Sequence, residues 1–269
     1  MEQVRRVEPL NSRPTDPVHE PPSSALLEGH EAAVRALIEG TRWERTKIGS
    51  KALFRLLRDP NDTNQVLLLG LSTSRRSFPW TLTRFCISNE GASLLRDRPS
   101  IDGRVVEQLR RLPEGTLGAA YVEYLDREGL DPDVFQPTPA LPEIPRYISQ
   151  RVRQSHDLWH VLTGYRTDVP GELALQAFSY AQLGTPASAI VAASGGVRWG
   201  VRKPVIFAMI REGLAMGKQA AFLAPVRWEL RWDRPLDAVR REFDITPTRF
   251  VDTFERPPVP DSTEAHPHN

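Results

Sequence analysis

The chain is poor in cysteine: Cys86 is the single one in 269 residues. One thiol excludes an internal disulfide framework and any multi-cysteine metal centre. Such sparse use fits a reducing compartment, and Cys86 itself reads as a small buried hydrophobe. Net charge is nearly absent, with 35 Lys and Arg against 34 Asp and Glu. There is no global pull toward nucleic acid or acidic lipid, and no nucleic-acid partner is expected. The opening stretch, MEQVRRVEPLNSRPTDPVHEPPSS, lacks the apolar core of a secretory signal, and its acids and prolines argue against a mitochondrial transit peptide. Residues 1–23 read as a disordered leader and 257–269 as a disordered tail, because neither has enough apolar groups to offset chain entropy. Sustained period-two alternation is missing as well, and so is any repeat of fixed length. The expected class is all-α: a single multi-helix domain over residues 24–256.

What is present is helical periodicity broken by proline and glycine. SSALLEGHEAAVRALIEG, RTKIGSKALFRLLRD and DTNQVLLLGLSTS predict three helices. SFPWTLTRFCIS reads as irregular, followed by helices over NEGASLLRD, DGRVVEQLRRL and GTLGAAYVEYLDREGL. LDPDVFQPTPALPEIP is a proline-rich loop that no helix crosses. A long helix is expected from Glu143, then three more and a last one over PLDAVRREFDI.

Residues 173–197 carry no charged side chain, a length that raises a membrane span. Gly184-Thr185-Pro186 interrupts the stretch, and Gln176, Ser179, Tyr180, Gln182, Ser188 and Ser194 make it too polar to span. Two buried helices joined by a tight turn are expected instead. Its small residues permit close helix packing or leave a groove for a long apolar ligand. Arg198, Arg202, Lys203, Arg211 and Lys218 follow it, and read equally as membrane-surface contacts or as ordinary solvated cations. Trp228 and Trp232 have helical spacing for packing. Tyr121 and Tyr124 read first as buried helix residues, with the lining of a ligand pocket as the alternative.

Of six histidines, His19, His30, His266 and His268 read as solvated. The other two lie in SHDLWHVLTGYRTDVPGE, residues 155–172. Residues four apart on a helix differ by about 40° in direction, so His156 and His160 project from one face and can grip one cation. Asp157 can reach the same ion or hydrogen-bond a ligand histidine. Glu172 would lie about 18 Å along an unbroken helix, out of reach. Gly164 can end that helix and Pro170-Gly171 can open the next, so an antiparallel return would bring Glu172 back: a metal site on a helical hairpin. Two imidazoles with carboxylates suit zinc, iron or manganese better than calcium or magnesium. Asp157 is shorter than the acid of the zincin His-Glu-x-x-His pattern, and the upstream histidine of HD-type phosphohydrolases is missing. A metallohydrolase is the weaker reading.

The pattern His156-Asp157-x-x-His160, then Glu172, resembles the signature of the family of the fourth coenzyme Q (ubiquinone) biosynthesis protein. RPSI at 98–101, LPEGTLGAAYVEYLD, LTGYRTDVPGELALQAFSYAQLGTP and WELRWDRPLDAVRREFDI extend the likeness. It is good over residues 95–245 and looser over 24–94. The resemblance implies an all-helical fold and a divalent metal held by His156, Asp157, His160 and Glu172. Zinc is the first choice, with iron, manganese or cobalt as alternatives. It implies action on a polyprenylated 4-hydroxybenzoate at a membrane surface, with loss of the C1 carboxylate, oxidatively with hydroxylation or not. Asp157 is the catalytic candidate, with a double role. The resemblance also implies partnership with other ubiquinone-biosynthesis enzymes and leaves room for a homo-oligomer. The expected location is cytoplasmic, peripheral on the inner face of a bacterial membrane, or on the mitochondrial inner membrane in a eukaryote. The competing reading is a non-catalytic scaffold that holds a prenyl chain between helices around residues 173–197 and VIFAMI.

Overall fold

Prolines and capping side chains divide the chain where the sequence places them. The computed structural model describes residues 24–58, 63–74, 77–134 and 137–250. Its α-helices are α1 (Ser24–Glu39), α2 (Arg42–Arg58), α3 (Thr63–Thr73), α4 (Ser77–Ile87), α5 (Asn89–Asp97) and α6 (Gly103–Leu109). They continue as α7 (Leu117–Glu128), α8 (Glu143–Thr163), α9 (Val169–Leu183), α10 (Pro186–Gly200), α11 (Val205–Gln219) and α12 (Leu236–Glu242). Short 3-10 turns occur at Pro132–Val134 and Trp228–Leu230. Among the described residues there is no strand, only an isolated bridge between Thr116 and Pro235. The fold is all-α, as expected. Ser88, Asp102, Thr116 and Asp168 each cap a helix by accepting from backbone amides of the first turn.

α9 and α11 form the closest pair, and small residues explain why. A Cβ on Gly213 would stand 2.2 Å from the Ala174 carbonyl oxygen, and one on Gly217 2.6 Å from that of Phe178. On α10, a Cβ on Gly195 would stand 2.2 Å from the Leu173 side chain. Residues 173–197 are thus two helices joined at Gly184–Pro186, and their small side chains are used for packing. The main core gathers around this seam: Leu158, Trp159, Leu162, Ala174, Phe178 and Met209 are all buried in one cluster. A second cluster joins α1, α2 and α3 through Val34, Leu37, Ala52 and Leu69, reaching α10 at Ala187.

Three local expectations are corrected. SFPWTLTRFCIS is helical as α4, because Pro79 falls in its first turn, where the missing amide costs no hydrogen bond. Phe85 and Thr81 turn inward, and the Thr81 hydroxyl donates to the Leu183 carbonyl at 2.7 Å. Cys86, expected inside, is exposed, since Phe85 takes the inward position of that turn. Trp228 and Trp232 are both buried, but the first lies in a 3-10 turn. Tyr121 and Tyr124 are buried on α7. His19, His266, His268, the leader and the tail lie outside the described residues, as does the side chain of His30.

Candidate metal centre

The site is built on the α8–α9 hairpin. Gly164 ends α8 with φ 75°, a left-handed conformation that an L side chain rarely adopts, and its amide donates to the His160 carbonyl at 2.8 Å. Four residues on, Asp168 caps α9 by accepting from the Gly171 amide at 2.9 Å. A Cβ on Gly171 would stand 2.1 Å from the Arg166 carbonyl oxygen, so this tight return requires glycine. Pro170 sits in the first turn of α9, and Glu172 follows one residue after Gly171. The hairpin thereby brings the start of α9 back beside the last turns of α8.

His156, His160 and Glu172 converge. Each offers a ligand atom within 4.8 Å of the others. The Nε2 of His160 lies 3.1 Å from Glu172 Oε1, and the Nε2 of His156 lies 3.9 Å from Glu172 Oε2. An ion bound at about 2.0–2.1 Å holds its ligand atoms about 3.3 Å apart, so the group needs only a modest contraction to close on one. Asp157 faces the other ring nitrogen of His156, with Oδ1 3.5 Å from Nδ1.

The second nitrogen of each imidazole is thus turned toward an acceptor. His160 Nδ1 donates to the Tyr165 carbonyl at 2.9 Å, which leaves Nε2 with its lone pair. That Nε2 is buried and without a well-directed hydrogen-bond partner, although Glu172 Oε1 is near. Two electron-rich atoms facing each other in a buried place call for a proton or a cation between them. The donor set therefore fits a divalent metal. It is also lopsided: the His160 side chain is 1% exposed, while His156 and Glu172 reach the surface on one side. A three-ligand centre with one open side can accept a further ligand.

The electrostatics agree. Burial opposes charging of His156, but the Asp157 and Glu172 carboxylates outweigh it and hold its pKa above the usual value. Burial opposes ionisation of Glu172, yet with protons on the imidazoles instead of a metal between them, His160 and His156 keep its pKa below the usual carboxylate value. Further contacts of α7, α8 and the segment after it were not read from the sequence, although Tyr124 itself was offered as a pocket residue. The Tyr124 ring stacks on His160, with centroids 5.6 Å apart and planes at 20°. Tyr165 donates from its hydroxyl to Glu212 at 2.9 Å, and Thr248 donates to the same oxygen at 2.5 Å. The Thr248 amide donates to the Thr163 carbonyl at 2.8 Å. Arg151, fully buried one turn before Ser155, makes a two-pronged contact with Glu229 at 2.8 Å on each arm. No periodicity marks Glu212, Thr248 or Glu229, because their partners are distant in sequence.

An all-helical protein with two histidines and a carboxylate gathered at a hairpin corner is, as a class, a candidate metalloprotein. Comparison with known proteins makes this specific. The chain belongs to the coenzyme Q (ubiquinone) biosynthesis protein Coq4 family, whose profile matches residues 35–249. It is 32% identical over 209 residues to the mitochondrial ubiquinone biosynthesis protein COQ4 of Coprinopsis cinerea, covering 76% of this chain and 72% of that one. It is 34% identical over 195 residues to the mitochondrial COQ4 homologue of Bos taurus (71% and 74%), and 32% identical over 203 residues to that of Homo sapiens (74% and 76%). The fold resembles the crystal structure of a candidate ubiquinone biosynthesis protein from Nostoc punctiforme. That likeness has a TM-score of 0.58 at 24% identity and covers 74% of this chain and 97% of the other. The protein is thus one of ubiquinone biosynthesis. Among the described residues, no helix is long and apolar enough to cross a membrane.

Proposed function

We propose that the protein removes the C1 carboxylate of a polyprenylated 4-hydroxybenzoate, using a divalent metal held by His156, His160 and Glu172. The observation that carries this reading is the convergence of both Nε2 atoms on one carboxylate, in a chain of this family. A bound divalent ion would supply a Lewis acid for the oxygens of an aromatic carboxylate or phenol. The chain's own residues do the rest. The Tyr165 carbonyl and Asp157 fix the two imidazoles with Nε2 free. The buried His160 anchors the site, and the half-open His156 and Glu172 leave an approach. Asp157 is proposed as the group that orients His156, reaches toward the ion and handles a proton. Loss of carbon dioxide leaves an electron pair on C1, so simple decarboxylation ends with a proton delivered there. Replacement of the carboxylate by hydroxyl instead consumes O₂ and reducing equivalents and needs a redox-active metal, which zinc is not. Zinc is the first choice for the simple reaction, and iron, manganese or cobalt are the alternatives.

The substrate's prenyl tail implies work at a membrane surface. Support comes from the α10–α11 corner, where Val197 and Val201 are 66% and 75% exposed beside the exposed Arg198, Arg202 and Lys203. Apolar groups flanked by cations suit an acidic lipid surface, and other ubiquinone-biosynthesis enzymes are the proposed partners there. The test is metal analysis of the purified protein with aerobic and anaerobic turnover of a prenylated 4-hydroxybenzoate, for wild type and His160→Ala. Product from wild type alone is expected. Equal activity in both would remove the metal from the chemistry, and metal-loaded protein without product would favour the scaffold reading.

A further inference from the structure

A chain of directed hydrogen bonds runs from α11 to His160. It ends at the imidazole, where Nδ1 lies 2.9 Å from the Tyr165 carbonyl oxygen. A carbonyl has no proton to give, so Nδ1 carries the proton and Nε2 the lone pair. Which nitrogen is bare therefore depends on where Tyr165 sits. Tyr165 lies between α8 and α9, one residue past the left-handed Gly164, so no helical ladder fixes its carbonyl. Its side chain does. The residue is 2% exposed, and its hydroxyl donates to Glu212 Oε2 at 2.9 Å. The same oxygen accepts the Thr248 hydroxyl at 2.5 Å. The other carboxylate oxygen meets the exposed Arg249 at 3.7 Å, an ion pair of little worth at a surface.

Glu212 is itself held in place. It precedes Gly213, where α11 approaches α9 so closely that a Cβ would stand 2.2 Å from the Ala174 carbonyl oxygen. The last turn of α8 is secured separately. Arg240 donates to the Val161 and Leu162 carbonyls at 2.9 and 3.0 Å, and the Thr248 amide donates to that of Thr163 at 2.8 Å. The backbone that carries His160 thus has its own anchors, and what Glu212 adds is the setting of the ring's acceptor.

Resting on the metal reading above, we propose that Glu212 is a positioning residue of the site. Through the Tyr165 hydroxyl it holds the Tyr165 carbonyl against His160 Nδ1, and so leaves Nε2, the nitrogen that faces Glu172, free to bind an ion. Glu212 stands outside the group of His156, His160 and Glu172 and acts on it only through Tyr165. An ionised carboxylate suits this task because it only accepts. It takes both hydroxyl protons and offers none that would turn either group round.

The experiment uses the full chain, metal-free and labelled with nitrogen-15, in alkaline buffer. Two-bond proton–nitrogen spectra report which ring nitrogen of His160 is protonated. Wild type should show the proton on Nδ1. Glu212→Gln should shift His160 toward a mixture of both forms and weaken cobalt(II) binding about tenfold or more. Tyr165→Phe, the milder change that keeps the ring, should do the same. Leu69→Ala, buried in the separate cluster of α1, α2 and α3, should lower the melting temperature and leave the His160 signals and cobalt affinity as in wild type. Wild-type His160 signals in both Glu212→Gln and Tyr165→Phe, with only the melting temperature lowered, make Glu212 a structural contact and overturn the proposal. A wild type protonated on Nε2, or an equal shift in Leu69→Ala, overturns it too. A wild type that binds neither cobalt nor zinc, while the His160 signals move as expected, overturns the metal reading and upholds Glu212 as the residue that places the proton.

Discussion

One helix, α9, meets two kinds of neighbour. Along its length, the seam with α11 is closed by Gly213 and Gly217, which let backbone approach backbone with no room for a methyl group. At its first turn, the corner with α8 gathers two imidazoles, a carboxylate and a phenol, and leaves buried polar atoms without partners. The seam is optimised for packing and the corner is not. The difference is the one expected where close packing supports a candidate site: the seam holds Glu172 at a fixed distance from His160 while the corner keeps unmet polar groups.

The sharpest way to break this contrast is on the seam. Gly213→Ala drives a methyl into the Ala174 carbonyl and should cost about 3 kcal/mol, lowering Tm by about 6–12 °C. Thermal and urea unfolding will measure it. The corner should respond differently. His160→Ala should cost the metal-free protein less, about 2 kcal/mol, yet weaken zinc or cobalt binding about a hundredfold or more. An unchanged metal affinity would show that the corner is merely structural.

Next in size is the response to pH. His156 has a raised pKa, so its contribution to the metal-free fold is fully present below 6.5 and is lost as pH rises through the raised value. Glu172 has a lowered pKa, so its contribution is present above 4.5 and is lost as pH falls through the lowered value. The metal-free protein should therefore melt highest between about pH 4.5 and 6.5, whereas metal affinity, which needs neutral imidazoles, should climb as pH rises past the raised His156 value. Melting and cobalt titrations across that range check both, and identical profiles in His156→Gln would refute the assignment. Smallest in stability is Val197→Ser with Val201→Ser, two exposed positions where a change within about 0.5 kcal/mol is expected. Flotation with anionic vesicles should nevertheless fall. Unaltered flotation would move the membrane contact elsewhere.

The comparison also separates what could be read from the sequence. The hairpin was legible because its determinants are local: Gly164 ends α8, Pro170-Gly171 opens α9, and helix geometry puts His156 and His160 on one face. The seam was half legible, since the small residues were visible but not whether they close on a neighbour or leave a groove. The contacts of Tyr124, Glu212, Thr248 and Glu229 were not legible, because each finds its partner through tertiary contact between distant segments. α4 was hidden by Pro79, whose effect depends on which turn it occupies.

The corner is finished from far downstream. Thr248 ties its amide to Thr163 and its hydroxyl to Glu212, the same oxygen that receives Tyr165. On the ribosome, Thr248 is added after the whole hairpin, so both imidazoles are made before this clasp can close. Any ion that this corner holds should accordingly be gathered late in the making of the chain.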